Sequence, residues 1–405
     1  MRNYFWGLLF VCSLTTGLML ARPALAVQGI TDDSILIGAF GPITGPAAFI
    51  GLGGRDGMNL AVKEINDAGG INGRKLKVIF EDDGFSPARA LGAVKKLIDQ
   101  DQVFALFSVA GSNSTVGTID FVKQRQMVMY VSIASAPQAT HPFNKYLFRG
   151  GTNETARYGE VYSEFLTQFL AADKIAILSG RDEYAKNEAD ATTRLLKSWW
   201  NVTPVTRQEF NVGDKDFTPQ LLAIKQADPQ VLEVSANPTE GAIILRQARE
   251  LGITATIFGG GTMLDQSIPA NAKFAAEGVT SMLNVPYYLD AKQPDMVKWQ
   301  AAMHAAYPNL PVGRPNNFDL LGYTDMYCFA EGLKRAGKDL DTDKFIAGLE
   351  TLDHYQVSPI ASPRTFTSKY HIGNFLLQPM VVLDGHWLPL RWSPAHESDI
   401  LKEYQ

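Results

Sequence analysis

Cysteine is nearly missing from this 405-residue chain: only Cys12 and Cys328 occur. Cys12 lies in an N-terminal segment that reads as an export signal, so one thiol remains and no intramolecular disulfide can form. Histidine is scarce too. His141, His304, His354, His371, His386 and His396 are scattered without metal-ligand spacing, which excludes a recognisable metal site. A nucleophile elbow of the G-x-S-x-G type is also lacking, and no Gly-Lys-Ser/Thr follows a glycine-rich loop, so catalytic and nucleotide-binding motifs are missing. No enzyme activity, cofactor or metal is therefore expected. With 37 basic and 42 acidic residues and no Lys/Arg run, a nucleic acid or an anionic membrane is excluded as partner.

Long apolar runs are confined to the N-terminus. Arg2 precedes the apolar stretch Tyr4 to Leu20, and Ala24-Leu25-Ala26 follows as a small-x-small cleavage site. A membrane anchor is the competing interpretation. Cys12, Ser13, Thr15, Thr16 and Gly17 interrupt the stretch, and Arg22-Pro23 stops it short of a span. Bulky Val11 before Cys12 speaks against lipidation there. Without residues 1–26, which carry two arginines and no acid, the formal charge of −5 becomes −7. The mature chain is expected to be a soluble, periplasmic, unlipidated monomer.

The remainder alternates strand and helix patterns. "SILIGAF" (Ser34 to Phe40) reads as a buried strand. "GRDGMNLAVKEIND" follows as a helix, and "GGINGRKLKVIFEDD" turns into a second strand. "SPARALGAVKKLIDQ" has Pro87 at a helix start, and strands are expected at Val103 to Phe107 and Met127 to Val131. The pattern restarts after "YLFRGGTNETARYG", with a helix from Thr155 to Leu170, the strand "KIAILSG", a helix through Trp200 and a strand near Val202. A helix from Thr218 to Gln226, then "PQVLEVSAN", "TEGAIILRQARELG" and "ATIFGGG", continue it. Later helices are predicted at Pro294 to Ala306, Tyr323 to Ala336 and Asp343 to Leu352, and a hairpin turn at Asp384-Gly385. Such alternation implies parallel sheets covered on both faces, in two blocks of similar length without an internal sequence repeat.

Ligands of open α/β sheets collect beyond the carboxyl ends of the strands. Three junctions of the first block are rich in small and hydroxyl residues: "GPITGPAAFIGLGG", "SVAGSNST" and "SIASAP". In the second, Ser112, Asn113, Ser114 and Thr115 crowd one helix start, where a side chain caps the helix and an anion shares the free N–H groups. "GLGGRDG" (Gly51 to Gly57) lacks the last small residue of a dinucleotide fingerprint and reads as a turn before a helix. Gly259 to Gly261 read as a strand end that approaches a ligand or the other block. Asp82-Asp83 reads as an acidic strand end on a solvated rim, and Cys328 as a small buried apolar residue.

"IGAFGPITGPAAFIG", "AVKEINDAGGINGRKLKVIFEDD", "GSNST", "VSIASA" and "LRQARELG", in this order, closely resemble the Leu/Ile/Val-binding family of periplasmic proteins that feed ABC importers. The resemblance spans the mature chain. It implies an α/β fold of two Rossmann-like lobes joined by three crossovers, residues 27–149 plus 283–357 forming lobe 1 and 150–282 plus 358–405 lobe 2. It also implies permease subunits as partners. By the family's pattern Ser112, Ala134 and Ser135 hold a ligand carboxylate, Tyr184 is the second-lobe aromatic, Ile50 packs on the ligand side chain, and Asn237 lies at a ligand loop. Where amino-acid binders of the family carry an acid for the ligand's ammonium, this chain has Gly261. A buried ammonium without a counter-charge is costly, so the expected ligand is a carboxylate lacking the α-amino group, aromatic acids included.

Two other classes compete with the importer component: a ligand sensor of the same fold signalling to a regulator, which the export signal disfavours, and an α/β enzyme, which the missing motifs disfavour. The export signal is itself testable. The mature protein should begin at Val27 and carry no lipid, so its intact mass should equal that of residues 27–405; a retained or acylated N-terminus would refute the soluble assignment.

Overall fold

The computed structural model describes residues 27–284, 292–311, 313–374 and 376–396; the expected export signal at residues 1–26 lies outside them. Five strands, Ser34–Gly41 (β1), Lys75–Asp82 (β2), Ala105–Ala110 (β3), Met129–Ile133 (β4) and Leu147–Arg149 (β5), form an all-parallel sheet in the order β2-β1-β3-β4-β5. A second sheet contains Ile175–Gly180 (β6), Thr206–Phe210 (β7), Val231–Ser235 (β8), Thr256–Gly259 (β9), Thr280–Leu283 (β10), Gln378–Leu383 (β11) and His386–Pro389 (β12). Its order is β12-β11-β10-β9-β8-β6-β7, antiparallel only at β11 and β12. Helices cover both sheets, so β3, β4, β6 and β8 are buried along their whole length and read as mainly apolar runs, with Glu233 of β8 the buried exception in charge. Asp384 and Gly385, both with positive φ, make the hairpin turn between β11 and β12.

Three local expectations are corrected. Gly51 to Gly57 form no turn: they lie in the first half of the helix Ala48–Asp67 (α1). Their role is close packing, since a Cβ at Gly57 would stand 1.9 Å from the carbonyl oxygen of Asp319, and one at Gly322 would stand 2.1 Å from that of Gly54. The helix expected from Tyr323 begins at Asn317 and runs to Ala336 (α11). Asn316 accepts from the Phe318 and Asp319 N–H groups while Asp319 accepts from Asn316 N–H, a capping box that starts the helix two turns earlier. The strand expected near Val202 is β7, because Asn201 ends the preceding helix, Glu183–Trp200 (α6), in the left-handed region, and the chain then needs further residues to reach the sheet edge.

The chain passes between the sheets at three places, which touch one another. Asp325 on α11 accepts from Ser132 Oγ at 2.7 Å, from Gly151 N–H at 3.0 Å and from the Arg364 guanidinium at 3.1 Å. Asn374 Nδ2 donates to the carbonyls of Gly151 (2.8 Å) and Asn284 (2.9 Å), and Ser362 Oγ donates to that of Asn284 (2.9 Å). Residues of the first, second and third passages are thus hydrogen-bonded together. Residues 355–372 lie against the first sheet, with Ile372 bridged to Arg149, and the chain rejoins the second sheet only at Gln378. Arg364 and Asp325 are 1 % and 0 % exposed. Removing one partner of a buried pair leaves an uncompensated charge, so Arg364→Met should lower stability by about 3–5 kcal/mol in urea titration. An unchanged midpoint would show that Asp325 is neutral and does not need the guanidinium.

Candidate functional site

The loops at the carboxyl ends of β1, β3, β4, β6, β8 and β9 converge on one cavity between the two sheets. Ile50, Ser112, Ala134, Ser135, Tyr184, Asn237 and Gly261 all line it. The structure therefore brings together every site residue expected from the sequence. Ile50 comes from the first turn of α1, Ser112 from the short helix Ser112–Val116 (α3), and Ala134 and Ser135 follow β4. Tyr184 opens α6, Asn237 precedes the helix Pro238–Glu250 (α8), and Gly261 follows β9.

The hydroxyl cluster at residues 112–115 does not cap its helix. The capping position is Gly111, whose φ of 101° is a conformation that favours glycine and offers no side chain. Its neighbours serve other bonds. Ser112 Oγ accepts from Ser135 N–H at 3.2 Å, which ties two cavity loops and leaves the Ser112 hydroxyl proton free to donate. Thr115 Oγ1 pairs with Ser108 Oγ at 2.9 Å inside the sheet. Asn113 Oδ1 accepts from Glu183 N–H at 2.8 Å, joining α3 of the first sheet to the start of α6.

Sequence reasoning missed Phe85, Thr152, Tyr158, Thr262, Asn284, Asn317, Phe318 and Leu321, which also line the cavity. Asn317, Phe318 and Leu321 escaped because α11 was expected to start too late; the Asn-x-x-Asp spacing at 316–319 was the available signal. Tyr158, from the helix Thr155–Glu164 (α5), faces Gly261: a Cβ there would meet the Tyr158 ring at 3.3 Å. Gly260 makes room for a different group, because its Cβ would stand 2.1 Å from Glu188 Oε2. Among the described residues, no Asp, Glu, Lys, Arg or His lines the cavity. Among the described residues no group of three or more His, Cys, Asp or Glu could hold a metal ion.

The residues 34–384 match the model of a family described as periplasmic binding protein. The chain belongs to that family. A leucine-, isoleucine-, valine-, threonine- and alanine-binding protein of Pseudomonas aeruginosa is 27% identical over 331 residues, 80% of this chain and 86% of that one. A Leu/Ile/Val-binding protein of Rhizobium johnstonii is 28% identical over 334 residues, 81% and 86% of the two chains. The fold recurs in an isoleucine-bound branched-chain amino acid transporter substrate-binding protein of Streptococcus pneumoniae (TM-score 0.75, 22% identity, 88% of this chain and 98% of that one). It recurs as well in a fatty acid ABC transporter substrate-binding protein of Thermomonospora curvata (TM-score 0.80, 19% identity, 93% and 96%). The resemblance to the Leu/Ile/Val-binding family and the two-lobed α/β fold are thereby established. Among the described residues no helix is long and apolar enough to cross a membrane.

Behind the cavity, the acidic pair after β2 is split in character. Asp82 accepts from Ile43 N–H and Thr44 Oγ1 and is held down to about 2, hydrogen bonds outweighing its modest burial. Asp83 is not on a rim. It is buried, accepts from Phe85 N–H at 2.8 Å and so shapes the loop that brings Phe85 to the cavity. Burial pushes its carboxyl up to about 6 from 3.8. The folded protein then binds this proton more tightly than the unfolded chain, so the contribution to stability is full below pH 4 and is lost as pH rises to 6. Asp83→Asn keeps the acceptor and removes the charge. It should stabilise the protein at pH 7 by about 1–3 kcal/mol and flatten the profile between pH 4 and 6. Thermal melts across that range test this, and an unchanged profile would refute it.

Proposed function

We propose that this protein is the extracytoplasmic solute-binding component of an ABC importer, and that it captures a small carboxylate lacking an α-amino group between two closing lobes. The observation that carries this reading is the lining: both sheets contribute to one cavity, and among the described residues none of its side chains bears a charge. A carboxylate needs neutral donors, which Ser112 supplies through its uncommitted hydroxyl proton and α3 through its free first-turn N–H groups. An ammonium needs an acid, and position 261 offers only backbone against the Tyr158 ring. Phe85, Phe318, Leu321 and Ile50 form an apolar wall for the body of such a molecule. The relatives named for branched-chain amino acids bear on the transport role. The Thermomonospora protein, named for a fatty acid, shows that this fold is also associated with an acid that has no amino group.

The rest of the reading follows from the same features. Lobe 1 comprises residues 27–149 and 283 onward, and lobe 2 comprises 150–282 and the C-terminal strands. We place the third passage after Asn374 rather than at Val357, since residues 355–372 lie against the first sheet. The lobes close on the ligand because it contacts both walls only in the closed state. After removal of residues 1–26 the protein works in the periplasm as a monomer and delivers its ligand to permease subunits.

Calorimetry decides the ligand class. Leucine should bind at least about tenfold more weakly than the best of isocaproate, benzoate and cinnamate, a difference of about 1.4 kcal/mol. Ser112→Ala should weaken every acid alike, by roughly 1–3 kcal/mol for a lost charge-assisted bond. Tight leucine binding would overturn the carboxylate assignment.

A further inference from the structure

Glu188 stands one turn beyond Tyr184 on α6, is 0 % exposed, and lies just behind the second-sheet wall of the cavity. Its Oε1 accepts three hydrogen bonds: from Tyr184 Oη at 2.8 Å, from Tyr162 Oη at 3.0 Å and from Gly261 N–H at 3.1 Å. Two of these donors, the Tyr184 hydroxyl and the Gly261 amide, belong to residues that line the cavity. Glu188 thus takes away the protons that this wall would otherwise offer a ligand. Tyr184 Oη also accepts from Thr262 N–H at 3.1 Å, so its hydrogen is committed to Glu188 and it meets a ligand only as an acceptor.

The same bias recurs around the wall. Thr262 Oγ1 gives its proton to the Ala236 carbonyl at 2.7 Å, and Thr152 Oγ1 gives its own to the Ser132 carbonyl at 2.8 Å. Asn317 lines the cavity at 4 % exposure, and its Oδ1 is buried with no hydrogen-bond partner. Ser112 is the opposite: it accepts from Ser135 N–H and keeps its proton to give. Ser112 therefore faces the cavity as a donor, and Tyr184 Oη and Asn317 Oδ1 as acceptors. A buried acceptor left without a donor costs free energy, so a fitting ligand brings donors to these oxygens.

We infer that Glu188 is a positioning residue that makes the Tyr184 hydroxyl an acceptor, and that the ligand is a hydroxycarboxylic acid whose hydroxyl donates to Tyr184 Oη. This rests on the carboxylate reading above and narrows it. The acid's carboxylate faces Ser112 and its neutral hydroxyl faces the second-sheet wall. An oxo acid of the same shape presents a lone pair to a lone pair there and is rejected. Glu188 acts through the oxygen that accepts, so its charge is not required. Gly260 follows from the same arrangement, since any side chain at that position would collide with the Glu188 carboxyl.

The test uses the mature protein, freed of bound ligand, in titration calorimetry against three matched pairs. They are 2-hydroxyisocaproate and 2-oxoisocaproate, mandelate and phenylglyoxylate, and 4-hydroxybenzoate and 4-formylbenzoate. The hydroxy member of the best-binding pair should be favoured by at least about tenfold. Glu188→Gln, which keeps the accepting oxygen, should retain that ratio. Glu188→Leu, which frees the Tyr184 proton, should bring the pair to within about threefold, and Tyr184→Phe should do the same with Glu188 intact. Equal binding of both members to the native protein, or a ratio that survives Glu188→Leu and Tyr184→Phe, overturns the inference while the carboxylate reading stands. A ratio lost as fully in Glu188→Gln as in Glu188→Leu overturns it in favour of a charge role for Glu188. If none of the six acids binds, the carboxylate reading falls first and this inference with it.

Discussion

Asp325 is buried at the point where three segments of the chain cross between two sheets, and its carboxylate gathers Ser132 Oγ, the Gly151 amide and the Arg364 guanidinium. Much of the molecule depends on that cluster. A two-sheet protein with an inter-sheet cavity needs its connections to be strong enough to hold the halves in register, yet few enough to let them move. Polar cross-links between backbone and buried side chains meet both needs, because they are directional and occupy little area. Asn374 extends the cluster to the Asn284 and Gly151 carbonyls, so each passage is bonded to another. Helix α11 carries Asp325 at the crossing and Asn317, Phe318 and Leu321 at the cavity, which couples the crossing to the ligand wall through one rigid element.

The cavity separates charge from contact. Its lining is neutral, while acids lie one layer behind it: Glu188 and Asp83, both raised above ordinary carboxyl values by burial. In each case the carboxyl organises groups that do face the cavity, Tyr184 and Gly261 for Glu188 and Phe85 for Asp83. Such an arrangement sets the hydrogen-bond polarity of the lining without placing a full charge in it. Polar identity is then decided by which hydroxyl protons are already committed.

Much of this was legible in the chain itself. The strand-helix alternation and the hydroxyl-rich loops after β1, β3 and β4 pointed to one wall of a cleft, and the resemblance to the Leu/Ile/Val-binding family supplied the seven expected residues, which line one cavity. The failures share a cause. Glycines 51, 53, 54 and 57 look like a turn because glycine disfavours helices, and only the close approach of Pro42, Val109 and α11 explains why a helix keeps them. Ser112 to Thr115 look like caps because hydroxyls prefer that position, and only the neighbouring β4 loop and α6 show where their bonds go instead.

What the sequence alone determined is local and periodic: which segments are strands or helices, which junctions are polar, and that no acid stands at position 261. The tertiary structure decided which distant groups share a space. Glu188 sits in a stretch, "EYAKNEAD", whose polarity suggests a solvated helix face, and nothing in its spacing announces that it is buried. It becomes a feature of the cavity because Tyr162 and Gly261, 26 and 73 residues away, bring a hydroxyl and an amide to its oxygen. Local pattern constrains backbone conformation, whereas the direction of a hydrogen bond depends on every acceptor within about 3 Å, whatever its place in the chain.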